Sequence, residues 1–307
     1  MRFTLKKLVR IQNKKEHIFA AQEMPSWETW HKRYSHISYT GLQKMYQLGL
    51  VDGFDVNTCT PKPDCVACTE GKLTIKPFEK SAMCVQEVGQ LTHIDLWEKY
   101  DSTSIHRQQY YILFVDDALR YTTVEFLKAK SQASEHVKAY LTYLQNRGRK
   151  LQAICIDQGK EFINKNLKTW CHQQGIEINQ TAPYSPLQNR VAKWMNHTLV
   201  ELVQTMRTVT NLPEFLWEEA TAHAVYLCNR TYTLAVKGSM PYQKWHGKRP
   251  NIAHIREFGA PIWVLLQGQK VLRKMLSKSQ CRSLIGFDDR SKSVIYYNPE
   301  TQKILTL

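Results

Sequence analysis

The sequence predicts an α/β core between a small helical module and an all-β tail. Strand-like and helical segments follow one another between residues 91 and 179 in the order β-β-β-α-β-α-β. Closely spaced pairs of histidine and cysteine precede this stretch, and short strands separated by turns follow Met240. At 307 residues, 43% of them hydrophobic, the chain can bury a full core and has room for two or three domains.

The first 76 residues predict a basic leader and then the helical module. Residues 1–24 show no sustained period and are assigned to a leader or linker. The module covers residues 25–76, where Ser38 is the expected N-cap of a short helix that ends near Gly49. Gly, Lys and Pro without a clear period predict a linker at residues 77–89.

The α/β core is expected over residues 90–245. Its strands are predicted at 91–97, 109–115, 121–127, 151–156 and 176–179, and its helices at 131–145, 161–173 and 214–229. One more helix follows from residues that repeat at helical spacing, namely Val191, Trp194, Met195, Thr198, Leu199, Leu202, Val203 and Met206. The tail, residues 246–307, predicts a small β-barrel with strands at 262–266, 283–287 and 294–297.

The formal net charge of +15 is concentrated at the two ends of the chain. Residues 1–15 carry six basic and no acidic side chains, residues 237–307 carry a net charge of +9, and the middle is neutral. Lys and Arg gain affinity for phosphates through counterion release, so nucleic acid is the first candidate partner. The alternative is a basic surface that serves solubility alone.

The sequence contains no membrane signal. No stretch approaches the roughly 18 consecutive apolar residues of a spanning helix, and the N-terminus lacks the apolar block of a secretory signal. We therefore expect an intracellular protein without membrane contact, located in the nucleus or otherwise in the cytoplasm.

Two short-spaced pairs of ligand residues predict a zinc site. His31 and His36 are separated by four residues, Cys65 and Cys68 by two, and 28 residues lie between the pairs. Zinc takes four nitrogen or sulfur ligands in a tetrahedron, so the site would be closed and structural. The alternative is that two unrelated histidines lie beside ordinary buried thiols. Cys59 is the nearest other cysteine that could be mistaken for a ligand.

Two carboxylates occupy neighbouring strand positions of the predicted core. Asp95 lies in the first strand, and Asp157 ends the fourth. Such a pair can share Mg²⁺, and phosphoryl-transfer enzymes use two such ions to activate the nucleophile and stabilise the leaving oxygen. The alternative is that an Asp at a strand end serves as a turn residue or helix cap.

A series of ordered motifs gives these residues a context. The motifs are Trp30-His-Lys-Arg-Tyr-Ser-His36, Cys65-x-x-Cys68 with Gly71-Lys72, His93-Ile-Asp95, Phe114-Val-Asp-Asp-Ala-Leu-Arg-Tyr121, Asp157-Gln-Gly-Lys-Glu-Phe162, Thr181-Ala-Pro-Tyr-Ser-Pro-Leu-Gln-Asn189, Asn196-His-Thr-Leu199, Phe215-Leu-Trp217 and Ala224-Val-Tyr-Leu-Cys-Asn-Arg230. In this order they resemble the integrase of copia-type retrotransposons, and the resemblance covers roughly residues 27–307.

The resemblance implies an architecture and an activity. It implies a zinc-binding pre-integrase domain, an RNase H-like core with a mixed five-stranded sheet, and an SH3-like C-terminal domain. Such an enzyme trims retroelement DNA ends and joins them to target DNA with Mg²⁺, and it acts as a multimer. Double-stranded DNA and further copies of the chain are therefore the implied partners, with structural Zn²⁺ and catalytic Mg²⁺ as cofactors. Asp95 resembles the first catalytic carboxylate and Asp157 the second.

The third catalytic carboxylate of the family is absent. It is expected 35 residues beyond Asp157, where this chain has Lys193. The family reads Asn-Gly-Val-Ala-Glu and this chain reads Asn189-Arg-Val-Ala-Lys193, so the difference is a substitution in register. We expect Lys193 to be non-catalytic and the second metal to be lost, because an ammonium is no ligand for Mg²⁺. Lys193 either pairs with one of the aspartates or is solvated on an exposed face.

Two other acidic residues, Asp116 and Asp117, are conceivable replacements. Glu161 is expected in the first turn of the next helix, where the helix dipole favours an acidic group, and Glu201 is about 12 Å farther along its helix. Three hypotheses of function remain. The chain is a DNA-binding, catalytically impaired integrase relative, or an active Mg²⁺-dependent integrase or endonuclease with a substitute acid, or a non-functional retroelement relic.

The residues expected to contact DNA are Gln188, Asn189, Arg190, Lys248, Arg249, Arg273 and Lys274.

Overall fold

The computed structural model describes residues 7–8, 21–22, 24–72, 88–98, 100–157, 165–180, 189–265, 278–288, 291 and 293–307. The strands are β1 (Lys7–Leu8), β2 (Ala21–Gln22), β3 (Leu91–Trp97), β4 (Tyr110–Asp116), β5 (Thr122–Leu127), β6 (Ala153–Ile156), β7 (Glu177–Gln180), β8 (Pro261–Leu265), β9 (Ser279–Phe287), β10 (Val294–Asn298) and β11 (Lys303–Thr306). The helices are α1 (Trp27–Arg33), α2 (Tyr39–Gln47), α3 (Val66–Lys72), α4 (Ala133–Asn146), α5 (Lys165–Gln173), α6 (Arg190–Thr210), α7 (Trp217–Asn229) and α8 (Pro241–His246), with short 3-10 helices at Lys130–Gln132 and Glu214–Leu216.

A mixed five-stranded sheet forms the centre of the protein, as predicted. Its strand order is β5-β4-β3-β6-β7; β4 is antiparallel to both β5 and β3, and β6 is parallel to both β3 and β7. Along β3 and β6 the register pairs Ile94 with Ile156. Because parallel partners point to the same face, the next residues, Asp95 within β3 and Asp157 directly after β6, follow together where the pairing of the two strands ends.

The sheet is covered on both faces. Ile94, Ile112 and Phe114 pack with the apolar sides of α4 and α5. Leu113 and Val115, which alternate with them, pack with α6 and α7 on the opposite face. This arrangement is the RNase H-like architecture that the resemblance implied, and it places α6 over the face to which Asp95 points.

The N-terminal helices pack on the core and on the C-terminal sheet. Ser38 caps α2 by accepting a hydrogen bond from the Gly41 N–H, as predicted from its position. The buried Trp30 and Tyr34 share a cluster with Leu227 of α7 and Leu284 of β9. The small module therefore gains its core from the rest of the chain as well as from its own residues.

The tail forms a four-stranded antiparallel sheet in the order β11-β10-β9-β8. The sequence predicted three strands here, and β11 is additional; closure into a barrel stays a prediction. At the N-terminus the two-residue strands β1 and β2 pair antiparallel within the expected leader, where segments this short leave no detectable period. None of the helices that the structure describes combines the length and hydrophobicity needed to span a bilayer.

The predicted helix boundaries shift where the first turn is tight. The helix expected at 131–145 begins as a 3-10 turn and becomes α4 at Ala133, and the helix expected at 214–229 likewise starts as a 3-10 turn before α7. The helix expected from residue 161 is described from Lys165 as α5, because residues 158–164 lie outside the described part of the chain. The residues that repeat at helical spacing lie on α6, as predicted, and among them Trp194 is 63% exposed.

Candidate functional site

The four predicted zinc ligands lie around a single point. The ligand atoms of His31, His36, Cys65 and Cys68 are all within 4.8 Å of one another. His36 Nδ1 lies 3.2 Å from His31 Nε2 and 3.1 Å from Cys65 Sγ, and Cys68 Sγ lies 3.2 Å from His31 Nε2. A zinc tetrahedron with bonds of 2.0–2.3 Å has edges of roughly 3.3–3.8 Å, so the gathering is close to that of a metal site.

Local backbone geometry brings the two histidines together. His31 is on α1, and the chain turns back at Ser35 and His36, which have φ angles of 49° and 63°. The Nδ1–H of His31 donates to the Ile37 carbonyl at 2.6 Å, which leaves Nε2 as the lone-pair nitrogen that faces the cluster. Cys65 precedes α3 and Cys68 lies within it, so one helix start supplies both sulfurs.

The donor set fits a zinc ion chemically. Burial lowers the pKa of His31 and lowers that of His36 to about 4, so both rings are neutral near pH 7, as a metal ligand must be. Burial raises the pKa of the Cys68 thiol to about 11, so a thiolate at this position needs a cation beside it. A His₂Cys₂ group of this geometry is compatible with a structural zinc site.

The two predicted catalytic aspartates are held by one helix. From α6, the Nδ2–H of Asn196 donates to Asp95 Oδ2 at 2.6 Å, and the ammonium of Lys193 lies 2.7 Å from Asp157 Oδ2. Lys193 and Asn196 are one helical turn apart and therefore share the face that looks at the sheet edge. The Lys193 side chain is 48% exposed, so it is both paired with Asp157 and solvated.

Charge and burial set the protonation of this group. Burial raises the pKa of Asp95 to about 6, against the opposing effects of the Asn196 hydrogen bond and the Lys193 charge. The hydrogen bond to Asp157 raises the pKa of Lys193. The lysine is therefore a cation at neutral pH.

These residues do not fit a two-metal centre. Such a centre needs carboxylate oxygens around both ions, whereas Lys193 places an ammonium on one of the two Asp157 oxygens. Three carboxylates would carry a charge of −3, and Asp95, Asp157 and Lys193 together carry −1 when ionised. The arrangement therefore favours a proton on Asp95 and the ion pair of Lys193 with Asp157 over the binding of two divalent cations.

The alternative acids that the structure describes are engaged elsewhere. Asp116 accepts hydrogen bonds from the N–H groups of Leu119 and Gly89 and so closes the turn between β4 and β5. Asp117 lies 3.0 Å from His93 Nε2 and 2.7 Å from Arg120 Nη1. Glu161 lies outside the described residues.

The residues expected to contact DNA fall into three groups. Lys248 and Arg249 are exposed after α8, and Arg190 is half-buried at the start of α6. Asn189 is 1% exposed, and its Nδ2–H donates to the Ile94 carbonyl at 3.0 Å, so this side chain ties α6 to β3 instead of facing solvent. Gln188, Arg273 and Lys274 lie outside the described residues.

Two features of the site were not predicted. Asn196 begins the Asn196-His-Thr-Leu199 motif, but its contact with Asp95 depends on where α6 crosses the sheet. Trp194 is largely exposed beside Lys193.

Sequence comparisons agree with this geometry. The GAG-pre-integrase domain family matches residues 5–73, and the integrase core domain family matches residues 85–186. The retrovirus-related Pol polyprotein from transposon TNT 1-94 of Nicotiana tabacum is 29% identical over 287 residues, which cover 93% of this chain and 21% of that protein. The corresponding polyprotein from transposon RE2 of Arabidopsis thaliana is 25% identical over 282 residues, covering 91% of this chain and 19% of that protein.

One solved structure is also similar. A chain in the cryo-EM structure of the simian T-cell lymphotropic virus intasome in complex with PP2A regulatory subunit B56 gamma is 15% identical, with a TM-score of 0.45. The alignment covers 79% of this chain and 84% of that chain.

The fold is that of an RNase H-like integrase core, and residues 5–73 match the GAG-pre-integrase domain family. Over most of its length the chain is similar to retrotransposon Pol polyproteins. It spans about a fifth of the length of the curated relatives it matches.

Proposed function

We propose that this protein is an integrase-type DNA-binding protein whose strand-transfer chemistry is disabled by Lys193. The observation that carries the proposal is the 2.7 Å contact between Lys193 Nζ and Asp157 Oδ2, at the position where the family has its third carboxylate. Asp95 and Asp157 are the two remaining carboxylates of the catalytic triad in this proposal. The proposal assigns His31, His36, Cys65 and Cys68 to a structural zinc ion.

The charge of Lys193 opposes the binding of a second metal ion at this site. Even at an effective dielectric constant of about 20, two unit charges 4 Å apart interact by roughly 4 kcal/mol, so an ammonium strongly opposes a divalent cation beside it. The Lys193 amine also has no lone pair to offer while it is protonated, and its partner Asp157 favours the protonated form. Magnesium would have to displace the lysine from Asp157 Oδ2 before it could use that oxygen as a ligand.

DNA binding does not depend on the triad. Affinity for a phosphate backbone comes from basic residues spread over the protein surface. This chain carries a net charge of +9 within residues 237–307. Lys248 and Arg249 lie in that segment and are exposed. We propose double-stranded DNA as the ligand, a homo-oligomer as the assembled form and the nucleus as the location.

The alternative of an active enzyme with a substitute acid is less favoured. Asp116 and Asp117 close a turn and pair with other side chains, as described above. A relic without function would be expected to bind neither DNA nor zinc.

A binding experiment with an activity arm tests the proposal. The protein should bind a labelled duplex with an affinity that falls steeply between about 50 and 200 mM salt, and it should neither nick nor join that duplex with Mg²⁺. The double variant Lys248→Gln/Arg249→Gln should weaken binding and lower the salt slope by about 1–2. Lys165→Gln/Lys168→Gln on α5 makes the same charge change within the neutral middle of the chain and serves as the matched control. Joining by the unmodified protein would refute the impairment, and a flat salt response would refute phosphate-dominated binding.

A further inference from the structure

A second cluster of ligand residues lies at the start of α7, away from both groups described above. His106 belongs to the connection between β3 and β4, and Glu218 and Glu219 are in the first turn of α7. One ligand atom from each residue lies within 4.8 Å of the other two. His106 Nδ1 is 3.2 Å from Glu218 Oε2 and 3.4 Å from Glu219 Oε1.

The connection that carries His106 is fixed to α7 by several contacts. The Trp217 Nε1–H donates to the Ser102 carbonyl at 2.9 Å, and the Ile105 N–H donates to the Phe215 carbonyl at 3.2 Å. The Ser104 hydroxyl donates to Glu218 Oε2 at 2.7 Å. The position of His106 over the two carboxylates is therefore built by the fold and does not depend on a free loop.

The carboxylates leave a buried acceptor unsatisfied. The Glu219 side chain is only 9% exposed, and its Oε2 atom is buried without a hydrogen-bond partner among the described residues. Glu218 is 13% exposed beside it. Two adjacent, largely buried carboxylates are stabilised by a proton or by a cation, and a single histidine supplies only part of that positive charge.

The distances match a metal polyhedron. An ion bound at 2.0–2.2 Å to nitrogen and oxygen ligands in a tetrahedron has ligand–ligand edges of roughly 3.3–3.6 Å. The two distances from His106 Nδ1 are at or just below this range. The Ser104 hydroxyl would orient the Glu218 carboxylate as an outer-shell donor, and the 54% exposed His106 leaves one side open to solvent.

We infer that His106, Glu218 and Glu219 form a second metal site, which takes a divalent transition-metal ion of the Zn²⁺ class. One imidazole and two carboxylates suit Zn²⁺ better than Mg²⁺, which prefers oxygen ligands and retains its waters. The ion ties the β3–β4 connection to the start of α7. The inference is independent of the proposed function, because neither Lys193 nor the His₂Cys₂ group takes part.

Metal stoichiometry tests the site directly. Protein already loaded with its first equivalent of zinc is titrated with Zn²⁺ by calorimetry, and one further equivalent should bind. His106→Ala and Glu219→Gln should each weaken this second event by at least about tenfold and leave the first zinc in place. Glu214→Gln makes the same charge change on an exposed glutamate that pairs with Arg207, so it should bind as the unmodified protein does.

Two results would overturn the inference. One is the absence of a second binding event in the unmodified protein, which would leave the cluster as simple His–Glu ion pairs. The other is unchanged affinity in His106→Ala, whose half-exposed side chain can be removed without disturbing the core, so the test stands even if Glu219→Gln fails to fold.

Discussion

Lys193 and Asp157 form an ion pair in which Nζ lies 2.7 Å from Oδ2, at the carboxyl end of β6. The pair joins a residue of α6 to the strand that follows β3 in the sheet order. Next to it, Asn196 holds Asp95 in the same way, through an amide instead of a charge. One face of α6 thus satisfies both aspartates with protein donors.

Zinc binding by the N-terminal module should depend on Cys65 and not on Cys59. Cys65→Ser is expected to lose the bound zinc and to lower the melting temperature, because metal binding supplies much of the folding free energy of such a small unit. Cys59→Ser is the control, since Cys59 is exposed and outside the cluster. The measurement is zinc content by mass spectrometry together with calorimetry; equal loss in both variants would contradict the assignment.

Asp95→Asn should stabilise the protein at neutral pH. Burial raises the pKa of Asp95 from 3.8 to about 6, so its contribution to stability is full below pH 3.8 and is lost as the pH rises through 6. Removing the charge should raise the free energy of unfolding by roughly 1–3 kcal/mol above pH 7 and change little near pH 4. Urea melts at both pH values measure this, with the exposed Asp101→Asn as the control. A variant less stable at pH 7 would show that the ionised form is favoured.

His223→Phe should protect the protein from acid. His223 is 2% exposed, neither ring nitrogen has a hydrogen-bond partner among the described residues, and burial lowers its pKa to about 3. Its stabilising contribution is therefore present above pH 6.5 and is lost as the pH falls towards 3. The ring of the variant can pack against Phe258 and Phe287 as the imidazole does. Melting temperatures at pH 8 and 5 should diverge less than in the unmodified protein, and His172→Phe on the exposed side of α5 should have no such effect.

That Asp95 and Asp157 come together was predicted through the resemblance to integrases and not from strand order. The residues belong to the first and fourth strands of the core, β3 and β6, which pair in parallel although β4 and β5 lie between them in sequence. The zinc group was predictable for a different reason. Its four ligands form two closely spaced pairs, and one turn joins the two histidines while one helix start holds the two cysteines.

What the sequence left open depends on tertiary placement. It allowed Lys193 to pair with either aspartate or with neither, and the crossing of α6 over β3 selects Asp157. The group of His106 with Glu218 was not predicted, because 112 residues separate them and no local pattern links them. Asn189 was expected to face DNA from the family motif, whereas its buried amide donates to a β3 carbonyl that only the folded sheet brings near.

The most direct measurement of the central claim is Mg²⁺-dependent end joining by Lys193→Glu, beside the unmodified protein and Lys193→Gln. Glutamine removes the ammonium without supplying a carboxylate, so it separates relief of charge from gain of a ligand. The account predicts joining by Lys193→Glu alone, and loss of that joining when Asp157→Asn is added. Joining by the unmodified protein would contradict the account, and so would a Lys193→Glu variant that folds, binds DNA and stays inactive.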